Sequence, residues 1–188
     1  MKPLLLLPLR KQSYGITFTL LILGFTCLLF SDIAISEVAL SKKDKLKAAY
    51  LFNFTQYIEW PNISSSLEPG KPIPSVRICA DGSPEFLLFL NKMAANKKMG
   101  ALQKTVTALS LHSADGCELL YVKNSSTEHF KKMENTIIVT DSDKITFPDT
   151  AIVFYEKNQN LRFEIDLQQI NATQVTVSSE LLKLAKIK

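Results

Sequence analysis

Glycine and histidine are both scarce in this chain of 188 residues, which contains six glycines and two histidines. The glycines form no phosphate-binding loop and no dinucleotide-binding fingerprint, and no Gly-x-Ser-x-Gly turn occurs. The histidines, His112 and His129, stand without another histidine or cysteine at metal-ligand spacing. These absences exclude the common sequence signatures of nucleotide-binding enzymes, serine hydrolases and zinc sites. We therefore expect no catalytic residue, no cofactor and no metal.

Long apolar runs are also few, and the longest lies near the start of the chain. Residues 16–30 form an uncharged, mainly apolar stretch of 15 residues behind a basic start. A membrane-spanning helix needs about 20 such residues. The small residues at 34–36 suit a signal peptidase, so we predict a signal peptide over residues 1–36 and an exported mature domain over 37–188. An uncleaved membrane anchor is the alternative.

An excess of charge of one sign is missing as well. The full chain has 22 Lys and Arg against 18 Asp and Glu. Without the predicted signal peptide, 19 basic and 17 acidic residues remain, a net charge of +2. Nucleic-acid-binding domains show a marked basic excess, so we expect no nucleic-acid partner. After cleavage we also expect no direct insertion into the membrane.

Only two cysteines follow the predicted signal peptide, Cys79 and Cys117. An even count in an exported chain suggests a disulfide bond. A bridge between them would close a loop of about 38 residues, for which chain entropy predicts roughly 3–4 kcal/mol of stabilisation. Two buried free thiols are the alternative.

The strongest helical pattern after the signal peptide covers Lys42–Pro61. Its apolar positions fall on two neighbouring stripes, one with Leu46, Ala49, Tyr50, Asn53, Tyr57 and Trp60 and the other with Leu51, Phe54 and Ile58. Pro61 disfavours a helical Trp60, so we predict that the helix runs to Trp60. A helix that is apolar nearly all round is buried on more than one side. We therefore expect Asn53 to be a buried amide that needs hydrogen-bond partners.

Strands alternate with helices along the rest of the chain. The predicted strands are residues 76–80, 105–109, 117–122, 136–140, 152–155 and 161–165, of which the last two form a hairpin across residues 156–160. The predicted helices begin at Ser83 and near Asn124, and further helices cover residues 167–170 and 179–187. This order predicts an α/β fold: one three-layer domain, a mostly parallel sheet of about six strands, helices on both faces and one C-terminal hairpin.

Small polar turns follow three of the predicted strands. If these strands are parallel neighbours, the turns gather at the carboxyl edge of the sheet, where open α/β sheets bind ligands. Two of the turns lead into helix N-termini, which favour anions. The candidate ligand-binding residues are Asp81, Ser83, Ser125 and Asp141. Caps and turns without a ligand are the alternative.

The strand at residues 161–166 alternates apolar and charged side chains. Arg162, Glu164 and Asp166 share one face, which is typical of a half-exposed strand. These charges could be solvated, could guard an edge against pairing or could form a partner surface.

Several of these segments occur together in one known family. The matching segments are Lys47–Phe54 (KAAYLFNF), Glu59–Pro61 (EWP), Ile78-Cys79, Cys117, Arg162–Asp166 (RFEID) and Ser178–Ala185 (SSELLKLA). In this order they resemble the YfiR-like periplasmic family over essentially the whole mature chain. Asn53, Phe54, Trp60 and Pro61 belong to the structural signature of that resemblance.

The resemblance implies a non-enzymatic periplasmic regulator. Such proteins bind the periplasmic sensor region of an inner-membrane diguanylate cyclase and repress cyclic-di-GMP production, and with it biofilm formation. By the same resemblance, Cys79 and Cys117 match a family disulfide, and Arg162, Glu164 and Asp166 fall where the partner surface is expected.

The apolar first helix favours a homodimer. A small-ligand-binding sensory protein of the solute-binding type is the alternative function.

Two features depart from the family pattern. Some members have a second cysteine pair around the segment that here reads 145–155, and this chain has none there. Many members have a Gly-Gly turn where this chain has Pro148-Asp149-Thr150. Redox control through a second bridge is therefore not expected.

Overall fold

A computed structural model describes residues 39–64, 75–95, 97, 104–111, 116–123, 134–141 and 149–188. Val38–Lys188 form one compact unit. The predicted signal peptide at 1–36, both histidines and the helix predicted from about residue 124 to 133 lie outside the described residues.

The helices and strands are numbered here in chain order. The helices are α1 Lys42–Tyr57, α2 Pro61–Ser64, α3 Pro84–Ala94, α4 Leu167–Ala172 and α5 Ser179–Leu184. The strands are β1 Ile58–Glu59, β2 Ser75–Ala80, β3 Thr105–Ser110, β4 Leu119–Val122, β5 Ile137–Asp141, β6 Thr150–Lys157, β7 Asn160–Ile165, β8 Thr176–Val177 and β9 Lys186–Ile187.

A seven-stranded sheet organises the domain, with the order β3-β2-β4-β5-β6-β7-β9. The strands from β3 to β6 are parallel, β7 is antiparallel to β6, and β9 is parallel to β7. A second sheet pairs β1 with β8 in antiparallel orientation. The predicted α/β class and mostly parallel sheet are confirmed, with seven strands in the main sheet instead of about six.

Both faces of the main sheet are buried, as a three-layer domain requires. The larger core packs α1 against the central strands, and Phe54 lies 5.1 Å from Phe163 and 5.9 Å from Phe154 between ring centroids. The described helices contribute their buried side chains to this core. The smaller core on the other face contains Leu120, Val122 and Ile138 beside the two cysteines.

Cys79 and Cys117 form a disulfide bond, with their Cα atoms 5.8 Å apart. Cys79 lies in β2, and Cys117 precedes the neighbouring strand β4. Both side chains are completely buried. The bridge therefore links β2 to the segment just before the adjacent strand β4, within the smaller core.

The first helix ends earlier than its sequence pattern predicted, at Tyr57 and not at Trp60. Ile58 and Glu59 are extended and pair with Val177 and Thr176. A strand partner from the far end of the chain thus replaces the last predicted turn of helix. Pro61 begins the short helix α2, a position that proline favours.

The prediction that α1 is buried all round was wrong. Leu51 and Phe54 are fully buried, whereas Asn53 is exposed and Leu46 is 43% exposed. One side of the helix covers the sheet, and Asn53 lies near the middle of the opposite side. The expected buried amide at Asn53 is therefore absent, and the reason for expecting a homodimer no longer holds.

The C-terminal part also differs from its prediction. The hairpin turn contains only Asn158 and Gln159, whose φ angles of 52° and 62° are those of a type I′ turn, so β6 and β7 are longer than predicted. The last helix ends at Leu184 and not at Ile187. Lys186 and Ile187 instead pair with β7.

Candidate functional site

The carboxyl edge of the parallel strands collects charged side chains. Asp81 follows β2, Lys123 follows β4, and Asp141 ends β5. Because β4 lies between β2 and β5 in the sheet, these three residues lie along one edge. The structure therefore brings two of the predicted ligand residues, Asp81 and Asp141, to the predicted edge.

The first helix adds Asp44 and Lys47 to this edge. The Lys123 ammonium donates to Asp44 at 3.1 Å, so the start of α1 lies at the carboxyl end of β4. Trp60, which follows the helix, contacts Glu118 just before β4. The helix therefore runs antiparallel to β4 across the face of the sheet.

Lys47 is the most enclosed cation of this edge. Its side chain is 4% exposed, and its ammonium forms an ion pair with one carboxylate oxygen of Asp141. The other carboxylate oxygen accepts a hydrogen bond from the Tyr121 hydroxyl at 3.1 Å. Burial, followed by the adjacent Asp141 carboxylate, raises the pKa of Tyr121 far above its ordinary value. The phenol therefore remains protonated and acts as a donor.

Asp44 and Asp81 are bound in the same network. The Lys123 backbone N–H donates to Asp81 at 3.3 Å. Burial alone would raise the pKa of Asp44, but the Ser41 hydroxyl and the Lys123 ammonium outweigh it, and the pKa is lowered. We call these side chains the edge network: Asp44, Lys47, Asp81, Tyr121, Lys123 and Asp141. Its two cations pair with two of its three carboxylates, Lys47 with Asp141 and Lys123 with Asp44, and these ion pairs fasten α1 to the sheet.

Ser83, another predicted ligand residue, does not join the edge network. The Ser83 hydroxyl accepts a hydrogen bond from the Phe86 N–H at 3.3 Å and caps α3, which is the structural role that its sequence context allowed. Ser125 lies outside the described residues. Sequence reasoning missed Lys47, although it precedes Leu51 by four residues and so lies on the buried stripe of the helix.

The predicted partner residues Arg162, Glu164 and Asp166 lie along β7 and its end. Glu164 forms an ion pair with Lys186, which follows α5. Asp166 caps α4, accepting from the Gln168 N–H at 3.0 Å and from the Gln169 N–H at 3.2 Å. Within the described part of the chain, Arg162 alone among the three has no ion pair, and it is exposed.

A groove of about 400 Å³ adjoins Arg162 at the free end of the hairpin. We call it the hairpin groove, and its lining residues are Tyr155, Lys157, Asn158, Asn160, Arg162, Leu184, Ala185 and Lys186. Leu184 is 67% exposed, a large fraction for a leucine. Sequence reasoning missed the wall made by residues 184–186 because it predicted them to continue a helix.

The signature residues Phe54, Trp60 and Pro61 have structural roles. Trp60 is completely buried and donates its indole N–H to the Glu118 carbonyl at 3.1 Å. The ammonium of Lys104 lies 5.3 Å from the centroid of the Trp60 ring. Burial lowers the pKa of this lysine, which donates to the Ile58 carbonyl at 2.8 Å.

Residues 44–186 match the sequence pattern of the YfiR/HmsC-like family. The chain belongs to the YfiR/HmsC-like family. The match runs from the first turn of α1 to the first residue of β9, and it therefore includes both the edge network and the hairpin groove. No curated protein matches the chain significantly.

Two further observations concern this family member. In the part of the chain that the structure describes, no helix has the length and apolarity needed to cross a bilayer.

Asp149 has a φ angle of 70°, in the left-handed region that glycine adopts most easily. Glycine would therefore carry no steric penalty at this position.

Proposed function

We propose that this protein is a periplasmic regulator that binds the periplasmic sensor region of an inner-membrane signalling protein. The partner is a diguanylate cyclase, and binding represses its production of cyclic-di-GMP. The observation that carries this proposal is the family match over residues 44–186, which takes in nearly all of the compact unit.

The chemistry of the two described sites supports a binding role over an enzymatic one. In the edge network, each cation pairs with a carboxylate, and Tyr121 is held as a neutral donor. This arrangement presents no nucleophile with an adjacent base. The hairpin groove instead offers an unpaired cation, Arg162, beside the exposed apolar side chain of Leu184.

A measurement of cellular cyclic-di-GMP tests the proposed function. We expect deletion of the gene to raise cyclic-di-GMP and wild-type complementation to lower it again. Complementation with Arg162→Glu should fail if β7 contacts the partner, whereas the exposed charge reversal Lys92→Glu on α3 should complement normally. Unchanged cyclic-di-GMP after deletion would count against repression of a cyclase.

Cross-linking in intact cells tests the partner directly. Purification of the full chain after cross-linking should recover an inner-membrane protein with a periplasmic sensor region. Recovery of no signalling protein, with the bait shown to be exported and folded, would remove the basis for the proposal.

A second candidate function, a periplasmic small-ligand-binding sensory protein, rests on the edge network. Asp81 and Asp141 lie at the carboxyl edge of parallel strands, where ligands of open α/β sheets bind. A ligand present at 100 times its dissociation constant would stabilise the folded protein by about 2.7 kcal/mol. A thermal-shift screen of anionic and zwitterionic metabolites therefore separates the two functions, since the regulator needs no such ligand.

A further inference from the structure

The outer edge of β7 is only partly covered by another strand. On one side, β6 pairs with every residue from Asn160 to Ile165. On the other side, β9 pairs with Glu164 and Ile165 only. Among the described residues, no strand pairs with residues 160–163 on that outer side. The first four of the six residues of β7 therefore form an open strand edge.

The backbone groups of this edge point outward at alternate residues. A two-residue turn makes Lys157 and Asn160 a hydrogen-bonded pair, so Asn160 and Arg162 direct their backbone groups towards β6. Leu161 and Ile165 then direct theirs away from β6. The Lys188 N–H donates to the Ile165 carbonyl at 2.9 Å, which agrees with this alternation. The Leu161 N–H and carbonyl consequently face the open side.

The hairpin groove lies beside this open edge. Tyr155 and Arg162, which are direct cross-strand neighbours, line the side of the groove formed by the hairpin. Its opposite wall is the segment Leu184–Lys186, where the chain leaves α5 and joins β7 as β9. The position of an added strand is thus bordered by side chains as well as by backbone donors and acceptors.

The charge of the groove is positive. Lys186 is neutralised by Glu164. Lys157 and Arg162 are exposed and form no ion pair with a described residue. An acidic side chain on a neighbouring strand would lie on the same face as these two cations and form a favourable cross-strand pair.

We propose that the hairpin groove receives an extended acidic segment of the partner protein, which pairs as a short additional strand with residues 160–163 of β7. This inference deepens the proposed function and rests on it for the identity of the partner. Four strand residues span roughly 13 Å, enough for two alternate acidic side chains on the Arg162 face. Main-chain hydrogen bonds would provide affinity, and the cations would provide specificity.

A second copy of this chain fits the same edge poorly. Pairing two β7 edges would gather Lys157 and Arg162 of both copies on one face, and like charges opposite one another destabilise a strand pair. Charge therefore favours an acidic partner segment. Self-association at this edge is one of the outcomes that the experiment distinguishes.

Fluorescence anisotropy with short synthetic peptides tests the groove. The probe is a fluorescein-labelled peptide of about eight residues that alternates glutamate with threonine, long enough to cover the open edge. The control peptide replaces each glutamate with lysine. With the full chain, we expect the acidic peptide to bind at concentrations up to about 1 mM and the basic peptide not to bind.

Two changes, one in the protein and one in the peptide, distinguish the contribution of charge to binding from the contribution of backbone hydrogen bonds. Arg162→Glu should weaken acidic-peptide binding by about five- to thirtyfold, whereas Lys92→Glu should leave it unchanged. Circular dichroism melting checks that both variants fold. N-methylation of the peptide at alternate residues removes donors without removing charge, so one of the two alternating patterns should abolish binding and the other should retain it.

Each contrary result overturns the groove proposal. Absence of acidic-peptide binding, equal binding of the basic peptide, or full binding of both N-methylated peptides would each do so. Absence of acidic-peptide binding together with a dimer seen by light scattering would assign the edge to a second copy. If Arg162→Glu still captures the membrane partner, the groove proposal fails while the proposed function stands. If the acidic peptide binds but deletion leaves cyclic-di-GMP unchanged, the proposed function fails instead.

Discussion

The indole N–H of Trp60 donates to the main-chain carbonyl of Glu118, 3.1 Å away. This hydrogen bond joins the segment after α1 to the amino end of β4. The carboxylate of the same Glu118 binds the Arg77 guanidinium in a two-pronged contact, with Nη2–Oε1 at 2.9 Å and Nε–Oε2 at 3.1 Å. At the other end of the helix, Lys47 pairs with Asp141. The first helix is therefore held to the sheet at both the amino and the carboxyl ends of the parallel strands.

Replacement of Trp60 tests the anchor at the amino edge. Trp60→Phe removes the indole donor and leaves part of a completely buried volume unfilled, so we expect the free energy of unfolding to fall by about 2 kcal/mol. Urea denaturation measures this loss. Leu88→Ala, at a side chain that is 65% exposed, is the control and should change stability by less than about 0.5 kcal/mol. Equal losses in the two variants would contradict the anchor.

A double-mutant cycle tests the anchor at the carboxyl edge. Lys47→Met leaves the Asp141 carboxylate without its enclosed cation, and we expect a loss of about 2–3 kcal/mol, since the Asp141 side chain keeps 26% exposure. Together with Asp141→Asn, the cycle should show a coupling energy of about 1–3 kcal/mol. The exposed pair Lys43–Glu156 is the matched control, with an expected coupling below about 0.5 kcal/mol. Similar couplings for both pairs would refute a special role for Lys47.

The sheet was predictable from the sequence because its strands are short apolar runs bounded by turn residues. Helix capping by Ser83 and the gathering of Asp81 and Asp141 at one edge follow from local chemistry and from parallel strand order. Asn53 shows the limit of this reasoning. Periodicity identified the apolar stripes of α1, but the side that faces solvent depends on what the rest of the chain covers.

Long-range pairing explains the other differences. Ile58 and Glu59 become a strand because Thr176 and Val177 provide its partner, more than a hundred residues away in sequence. Lys186 pairs with Glu164 of β7 in the same way. The wall of the hairpin groove is built from that tertiary contact. A helical pattern over residues 179–187 could not reveal it.

The loss of stability at acidic pH should depend on Asp44. Its folded-state pKa is lowered, so its contribution to stability is present above its ordinary pKa of 3.8 and is lost as the pH falls through the lowered value. Asp44→Asn should therefore be less stable than wild type near neutral pH, and the difference should disappear once the pH is below the lowered pKa of Asp44. Urea unfolding across this range measures it. The control Glu180→Gln removes one exposed surface carboxylate, and an identical pH response of the two variants would contradict the prediction.

The disulfide should be a structural bond. Cys79 and Cys117 are completely buried and 38 residues apart in sequence. Replacing both with alanine should lower the free energy of unfolding by roughly 3–4 kcal/mol, because the unfolded chain gains conformational entropy. Reductant should leave the folded wild type oxidised for as long as the protein stays folded, which thiol alkylation and mass spectrometry can measure. Rapid alkylation of the native protein under reductant would instead indicate an accessible, labile bridge.

The hairpin turn offers a stabilising substitution. Gln159 has a φ angle of 62° in a two-residue type I′ turn, where glycine carries no steric penalty. Gln159→Gly should raise the free energy of unfolding by about 0.5–1 kcal/mol, or the melting temperature by about 1–4 °C. Gln159→Val should lower both, because a β-branched residue is strained at positive φ. Calorimetry of the two variants and wild type measures these shifts. A stabilising valine would mean that the turn does not adopt this conformation in solution, and the open edge of β7 would then lose the register from which it was inferred.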